Sequence, residues 1–292
     1  VLRDWQGLGY YSRAKNLQKT AKYIFEELDG NFPKTYNEIL ALKGIGEYTA
    51  AAIGSFAFKI KQAAIDGNVL RVISRIYGIV EPIDKLSTKK TINQICNDLI
   101  PENRPDLFNQ AIMELGATVC KPKLAQCPIC PFNQECYALK NEMVYQIPLK
   151  LGKTKVSELL IDYLIFYNEK GIYIRKRSDD SIWKGLYEFP NLENFYPNIE
   201  DEKRITLILT ETKNRFQIDS ENIDFKLFKL KKHKLSHRLI YAHFWLIKIQ
   251  DIKEKDNFGI FEVKFNEIDQ FAFPQLIVSE LFKIKEICQL TK

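Results

Sequence analysis

The sequence contains no apolar run long enough to cross a bilayer and no hydrophobic segment of a secretory signal. These two absences argue against a membrane protein and against a secreted domain held together by disulfides. The 6 cysteines are therefore expected to be reduced in the cytosol, as free thiols or as metal ligands. The sequence also contains no internal repeat, and its 292 residues are enough for two domains, each with its own core.

The chain begins with Val1 rather than methionine, and residues 1–8 resemble sequence from the middle of a helix. We therefore expect the chain to be incomplete at its N-terminus. The formal net charge of +6 is a modest excess, which indicates a nucleic-acid partner only if the positive residues are clustered. The densest cluster is the segment 229–238, which holds four lysines, one arginine and two histidines.

Four cysteines fall within 17 residues, with the spacing C-x6-C-x2-C-x5-C. They are Cys120, Cys127, Cys130 and Cys136. Thiolates at such short intervals on one loop are typical of a metal centre. Zinc sites usually use two closely spaced pairs, and only Cys127 and Cys130 form such a pair, whereas the wide outer gaps suit a cubane cluster. The spacing alone leaves zinc open, and the separate Cys96 is expected to be a core thiol.

The hydrophobic pattern divides the chain into two halves. Apolar residues recur at helical spacing from residue 11 to about residue 140. A basic stretch at 148–153 has no helical periodicity and suits a linker. The second half is predicted to be α+β, with strands at 159–167, 172–177, 223–230 and 239–249 and helices at 205–216 and 274–287.

Two short motifs in the helical half indicate a site. Gly44 and Gly46 join one predicted helix to the next, which lets the backbone turn tightly and leaves amides uncovered at the second helix's N-terminus. Such amides suit a phosphate oxygen, although two glycines between helices are more often a plain turn. Asp66 begins an Asp-Gly-Asn-Val segment at another helix start, where an aspartate alone would be interpreted as a helix cap.

The order of these motifs, followed by the four cysteines, resembles the helix-hairpin-helix DNA glycosylases with an iron–sulfur cluster, the endonuclease III superfamily. Within it, residues 7–14 (Gly-Leu-Gly-Tyr-Tyr-Ser-Arg-Ala) and 66–69 are similar to the adenine-specific MutY family. The resemblance implies a multidomain α and α+β protein with a 4Fe–4S cluster in place of zinc. Its parts would be an all-α helix-hairpin-helix glycosylase domain at 1–140 with an iron–sulfur loop at 120–136, a linker at 141–157, and an α/β/α Nudix-like domain at 158–292.

The resemblance also implies an activity, namely removal of adenine paired with 8-oxoguanine or guanine in double-stranded DNA during base excision repair. Asp66 matches the family's catalytic aspartate, and Tyr48 and Asn68 would orient its carboxylate. Bifunctional relatives have a lysine at position 48 that attacks the sugar, so tyrosine there predicts a monofunctional enzyme. We expect a monomer in the bacterial cytoplasm, associated with the nucleoid.

The general acid that protonates the departing purine lies, in this family, in a helix before the Gly-Leu-Gly-Tyr-Tyr motif. The sequence has no such helix before residue 7. Glu26, Glu27 and Glu38 do not occupy the matching motif and are expected to be solvated carboxylates. We therefore expect the 292 residues alone to be severely impaired in base excision.

Further residues are implied to bind DNA. Tyr10 matches a tyrosine that inserts beside the oxidised guanine, and residues 235–237 match a Phe-Ser-His loop that reads this base. Ser236 and His237 are retained there, whereas Leu235 replaces the phenylalanine and supplies bulk without an aromatic ring. Phosphate contacts are expected at the sites Gly44, Gly46, Lys121 and Lys123.

Three alternative functions stay open from the sequence. A thymine-mismatch glycosylase would also carry tyrosine at position 48, although the segment 66–69 argues against it. A non-catalytic DNA-binding fragment fits the missing acid. The segment 183–190 resembles the strand that enters the Nudix motif of nucleotide hydrolases, but the R-E-x-x-E-E metal-binding helix does not follow it, so hydrolysis of nucleotides is disfavoured.

Overall fold

The structure is a computed structural model, and it describes residues 1–152, 156–178, 182–193, 201–218, 224–250, 252 and 256–290. The chain forms two compact units, one of Asn16–Lys153 and one of Val1–Lys15 together with Thr154–Lys292. The predicted linker at 141–157 crosses this division, and its residues 153–155 lie outside the described part. The predicted domain boundary near residue 140 stays a prediction.

The unit Asn16–Lys153 is helical, as its periodicity predicted. Its helices are α1 (Ser12–Glu27, beginning in the other unit), α2 (Tyr36–Ala41), α3 (Glu47–Phe58), α4 (Gly67–Tyr77), α5 (Leu86–Leu99), α6 (Pro105–Thr118) and α7 (Tyr137–Lys140). Helix α4 lies at the centre of the unit because it packs against α5, α6 and α7. It ends at Gly78, whose positive φ of 69° and contact with the Tyr137 ring leave no room for a side chain.

The core of the helical unit consists of apolar side chains from α4, α5 and the segments before them. Val69 and Ile73 of α4 pack with Ile92 and Cys96 of α5, all almost completely buried. Burial raises the pKa of the Cys96 thiol to about 12, so this cysteine is a neutral packing residue, as the sequence predicted. Among the described residues, no helix is long and apolar enough to cross a bilayer.

The second unit is built on a mixed β-sheet. Its elements are β1 (Ser157–Tyr167), β2 (Gly171–Lys176), β3 (Tyr187–Glu188), β4 (Asn191–Glu193), α8 (Asp201–Phe216), β5 (Asp224–Lys234), β6 (Arg238–Lys248), β7 (Ile260–Lys264) and α9 (Gln275–Leu290). The strand order is β3-β2-β1-β6-β5, with β4 paired to β1 and β7 paired to β2. Strands β1 and β6 are parallel along their whole length, and the other pairs are antiparallel.

Alternation along the strands buries both faces of this sheet. Ile161, Tyr163 and Phe244 face a cluster that includes Ile277 and Ile284 of α9. Residues at the intervening strand positions, such as Phe166 and Trp245, face a second cluster with Ile208 and Phe216 of α8. Helices therefore cover both faces, which is the α/β/α layering that the sequence predicted.

Two local predictions were wrong. Residues 1–8 are a series of turns and not a helix, because the chain reverses at Gly7 and Gly9, whose φ angles are +91° and +70°. The strand predicted at 223–230 was expected to end before most of the lysine-rich segment 229–238, but strand β5 continues to Lys234. Only residues 235–237 form the turn to β6.

Candidate active site and metal centre

Asp66 caps helix α4 and is held by two hydrogen bonds. Its Oδ1 accepts the backbone N–H of Val69 at 2.8 Å, and its Oδ2 accepts the side-chain amide of Asn68 at 2.9 Å. Both oxygens thus act as hydrogen-bond acceptors. Asn68 is oriented in turn, because its Oδ1 accepts from Arg71 Nη2 at 2.9 Å. The structure therefore brings the predicted pair Asp66 and Asn68 together.

The extended segment before Asp66 is fixed by two asparagines that the sequence analysis did not single out. Asn97 of α5 accepts the N–H of Ala63 at 3.0 Å. Asn109 of α6 accepts the N–H of Ala64 at 2.9 Å and donates to the carbonyl of Gln62 at 3.0 Å. An asparagine that is 1% exposed can satisfy both kinds of backbone group, so the position of Asp66 is tied to two neighbouring helices.

Asp66 and Tyr48 line one pocket, although they are 18 positions apart. Tyr48 lies in the first turn of α3 with 41% of its surface exposed. The same pocket is lined by Glu47, Lys89 and other polar residues, none of which was predicted as a site residue. Burial raises the pKa of Tyr36, another lining residue, and the charge of Glu47 raises it further. Neither Glu47 nor Lys89 has a distinctive sequence motif, so only the fold identifies them.

The turn before α3 has the geometry expected of a hairpin between helices. Gly44 has φ of +81°, and a Cβ there would lie 2.4 Å from Asn16 of α1, so only glycine fits. Thr20 of α1 donates to the Lys43 carbonyl at 2.8 Å and fixes the turn. Gly46 is the N-cap of α3. It has no side chain to accept a hydrogen bond, so it does not cap the first backbone amides of this helix.

The four cysteines of the predicted metal centre line a second pocket. Cys120 follows α6, Cys127 and Cys130 flank a short 3-10 turn, and Cys136 is the N-cap of α7. Burial raises the pKa of Cys127, and negative charge on the other three thiols raises it further, because the four sulfurs are close enough to interact. Burial likewise raises the pKa of Cys130.

The spacing of the four thiols bears on which metal group they suit. Within the described ranges, no three Cys, His, Asp or Glu side chains are close enough to hold one metal ion. A zinc ion would need every sulfur within about 2.3 Å of it. Four thiols that line a common pocket are the donor set that a 4Fe–4S cluster requires.

Two buried arginines of α4 connect the Asp66 site with the cysteine loop. Arg71 donates to the carbonyls of Gly116 and Cys120 at 2.7 and 2.8 Å. Arg75 donates to the carbonyls of Ile147 and Lys121, both at 2.9 Å, and to the Cys120 sulfur at 3.3 Å. Burial lowers the pKa of Arg71, and the charge of Cys120 opposes that shift. Sequence periodicity did not reveal these roles, because arginine within a helix is usually exposed.

The remaining predicted DNA-binding residues lie where a partner could reach them. Lys121 is half-buried and Lys123 is exposed, both on the loop between Cys120 and Cys127. In the other unit, Tyr10 is 70% exposed, and Ser236 and His237 form the exposed tip between β5 and β6. Leu235 is half-buried against the sheet core rather than projecting from the tip.

One buried carboxylate of the Nudix-like unit, that of Glu188, is paired with two arginines. Glu188 is 1% exposed and accepts from both Arg175, at 3.1 Å, and Arg177. Glu193 accepts from Arg177 at 2.6 Å. Burial raises the pKa of Glu188, and the two arginines oppose that rise. These carboxylates stabilise the sheet, and the segment 194–200, where a metal-binding helix would begin, lies outside the described residues.

Comparison with known proteins identifies the family. The chain is 32% identical over 257 residues to an adenine DNA glycosylase of Buchnera aphidicola subsp. Schizaphis graminum, covering 88% of this chain and 71% of the relative. The chain belongs to the adenine DNA glycosylase family. A second relative of the same name, from Buchnera aphidicola subsp. Baizongia pistaciae, is 34% identical over 85% of this chain and 67% of its own length.

Family models agree with the adenine DNA glycosylase assignment and with the predicted fold class. Residues 1–102 match the HhH-GPD superfamily of base excision DNA repair proteins, and residues 162–280 match the NUDIX domain. A trapped endonuclease III–DNA covalent intermediate is similar with a TM-score of 0.41 at 28% identity, over 47% of this chain and 62% of that one. The predicted enzyme class, a DNA N-glycosylase of base excision repair, is thus confirmed.

Proposed function

We propose that this chain excises adenine paired with 8-oxoguanine, or with guanine, from double-stranded DNA. The observation that carries the proposal is the pocket in which the doubly hydrogen-bonded carboxylate of Asp66 lies beside Tyr48. Breaking the bond between a purine and deoxyribose builds positive charge on the sugar. A carboxylate already oriented toward the sugar offsets this charge without reorganising.

Tyr48 supports a monofunctional reaction. A phenol cannot form the Schiff base by which a lysine amine at this position would open the sugar and permit strand cleavage. We infer that Tyr48 and Asn68 position the sugar and the carboxylate, and that water completes the reaction. The product would then be an abasic site in an intact strand.

The cysteine loop is proposed to hold a 4Fe–4S cluster through Cys120, Cys127, Cys130 and Cys136. The group would supply a rigid crosslink rather than chemistry at the sugar, because Asp66 and the cysteines line different pockets. Lys121 and Lys123 would then be presented to phosphates from a fixed loop.

The uncapped N-terminus of α3 after Gly44 and Gly46 offers backbone amides to another phosphate. We infer a monomer that acts on chromosomal DNA in the nucleoid.

The function is tested by single-turnover excision from three duplexes, with adenine opposite 8-oxoguanine, adenine opposite guanine and thymine opposite guanine. We expect adenine opposite 8-oxoguanine to be released first. Alkaline cleavage of the strand measures the abasic product.

The outcomes of this assay separate the alternatives. Faster release of thymine would identify a thymine-mismatch glycosylase. Tight binding to every duplex without release of any base would indicate a non-catalytic DNA-binding protein. In a separate assay, release of pyrophosphate from an oxidised nucleotide would revive the hydrolase interpretation. Any of these three results contradicts the proposal.

The turn at 235–237 is proposed to read the oxidised base. Its exposed tip carries Ser236 Oγ and His237 Nδ1 only 3.1 Å apart, so both can reach one base edge. Replacing both by alanine should lower the preference for 8-oxoguanine over guanine about tenfold, since one set of base contacts contributes about 1–3 kcal/mol. The ratio of dissociation constants for the two duplexes measures this preference.

Two exposed lysines of strand β5, which leads into this turn, provide the control. Replacing Lys226 and Lys234 by alanine should weaken binding to both duplexes equally and reduce its salt dependence, because phosphate contacts carry no base information. An unchanged preference in the Ser236→Ala, His237→Ala variant would show that the base is read elsewhere.

A further inference from the structure

The first residues of the chain pack against the Nudix-like part of their own unit. Tyr11, Leu186 and Ala272 form a small buried cluster, with Leu2, Trp5 and Trp183 partly buried around it. The side-chain oxygen of Gln6 accepts the backbone N–H of Phe273 at 3.0 Å, and Phe273 is itself completely buried. The segment that carries Tyr10 is therefore anchored to the sheet domain by both apolar packing and a hydrogen bond.

The backbone of this segment adopts an unusual conformation that presents Tyr10. Gly7, Gly9 and Tyr10 have φ angles of +91°, +70° and +46°. Trp5 Nε1 donates to the Gly9 carbonyl at 3.0 Å and closes the loop. A tyrosine in the left-handed region is strained, and such strain persists only where the surroundings impose it. The result is an exposed aromatic ring on a fixed loop.

Trp183 contacts both this loop and the strand that leads to the turn at 235–237. Its side chain packs against the cluster that contains Tyr11. Its ring also lies 6.1 Å from the ring of His233, centroid to centroid, and His233 is two residues before Leu235 in β5. The Arg177 guanidinium lies 5.9 Å from the centre of the same indole. The backbone of Trp183 also lies in the left-handed region, with φ of +61°.

We propose that Trp183 is a specificity-determining positioning residue, which holds the Tyr10 loop and the turn at 235–237 in a fixed relation so that both engage the same oxidised guanine. The inference rests on the proposed function, in which these two elements contact that base. Neither element touches the other through a hydrogen bond that the structure describes. Tyr11, next to Tyr10, packs with Trp183, and Leu235 of the turn packs against the same sheet cluster as Trp183. A base read from two sides requires the two elements to be placed together before DNA binds.

A plain structural role is the competing interpretation, because a half-buried tryptophan contributes packing wherever it lies. Phe225 provides a matched control. It is half-buried in the same unit and stacks on Trp245 at 5.0 Å, on the other face of the sheet from the cluster around α9. Its loss should destabilise the unit without moving the Tyr10 loop or the turn at 235–237.

The test measures binding of the 292-residue protein to two duplexes, with 8-oxoguanine or guanine opposite a non-cleavable adenine analogue. Binding does not depend on the rate of excision. We expect Trp183→Ala to lower the ratio of the two affinities about tenfold, mainly through weaker binding to 8-oxoguanine. Trp183→Phe should keep most of the ratio, and Phe225→Ala should keep all of it despite a lower melting temperature.

Gln6→Ala is a second variant that spares the core, and we expect it to lower the ratio by a few-fold because it frees the Tyr10 loop. A wild-type ratio in both Trp183→Ala and Gln6→Ala would overturn the inference while leaving the proposed function in place. An equal loss of the ratio in Phe225→Ala would show that stability alone sets it, which also overturns the inference. A ratio near one in the wild-type protein would contradict the proposed function itself.

Discussion

Replacing Asp66 by asparagine should lower the single-turnover rate of adenine release by about 10²- to 10³-fold, the usual cost of removing one group that stabilises transition-state charge. Asparagine is as good a helix cap as aspartate, so helix α4 should form normally. The variant therefore keeps the cap to Val69 but removes the negative charge and the acceptor for the Asn68 amide. We expect its affinity for the duplex and its melting temperature to stay close to those of the unmodified chain.

Asp84→Asn is the matched control for this substitution. Asp84 also accepts a backbone N–H, that of Leu151 at 3.0 Å, but it does not line the Asp66 pocket. Its substitution should leave the excision rate unchanged. A rate for Asp66→Asn within a few-fold of the unmodified chain would mean that another carboxylate supports the reaction, and Glu47, in the same pocket, would be the next residue to test.

Replacing Arg75 by methionine should lower the free energy of unfolding of the helical unit by about 3 kcal/mol or more. Arg75 is 2% exposed and donates to the carbonyls of Ile147 and Lys121. Each buried carbonyl left without a donor costs about 1–3 kcal/mol, and methionine restores only the apolar stem. Urea denaturation measures the change.

The same variant should also bind less iron, because Arg75 ties the Cys120 end of the cysteine loop to helix α4. Arg104→Met is the control, since the Arg104 side chain is 53% exposed and its partner Asp106 keeps a second ion pair, with Lys59. Exposed ion pairs contribute about 0–1 kcal/mol, so this control should change neither stability nor iron content appreciably. Full iron loading of Arg75→Met would show that the loop holds its shape without the arginine.

Much of the site in the helical unit was predictable because its chemistry depends on short, local motifs. A glycine at position 44 and the cap at Asp66 act within one turn of their own helix starts, so the chain nearby is enough to indicate them. The cysteine spacing similarly predicts a shared centre, since ligands on one loop cannot be far apart. The residues that complete the site could not be predicted, because Glu47, Asn109 and Arg75 act on groups far away in the chain.

In the second unit, the sequence predicted local strands but not the features that depend on distant contacts. Strand alternation predicted most elements of the sheet, since each strand buries alternate residues whatever its partner. The pattern could not assign Lys231–Lys234 to strand β5, because lysines on an edge strand lack the apolar alternation on which strand prediction depends. It also could not show that residues 1–15 belong to this unit, which depends on contacts more than 150 positions apart.

The sequence by itself determined the two halves, the glycosylase motifs, tyrosine in place of lysine at position 48, and four closely spaced cysteines suited to a metal centre. These features depend on residue type and on short spacing, and both can be recognised without knowledge of the fold. Only the tertiary structure decided that Asp66 and Tyr48 share a pocket, that Arg71 and Arg75 connect this site to the cysteine loop, and that Trp183 lies between the Tyr10 loop and strand β5. Those relations arise from packing between distant segments, and packing is decided by the whole chain at once.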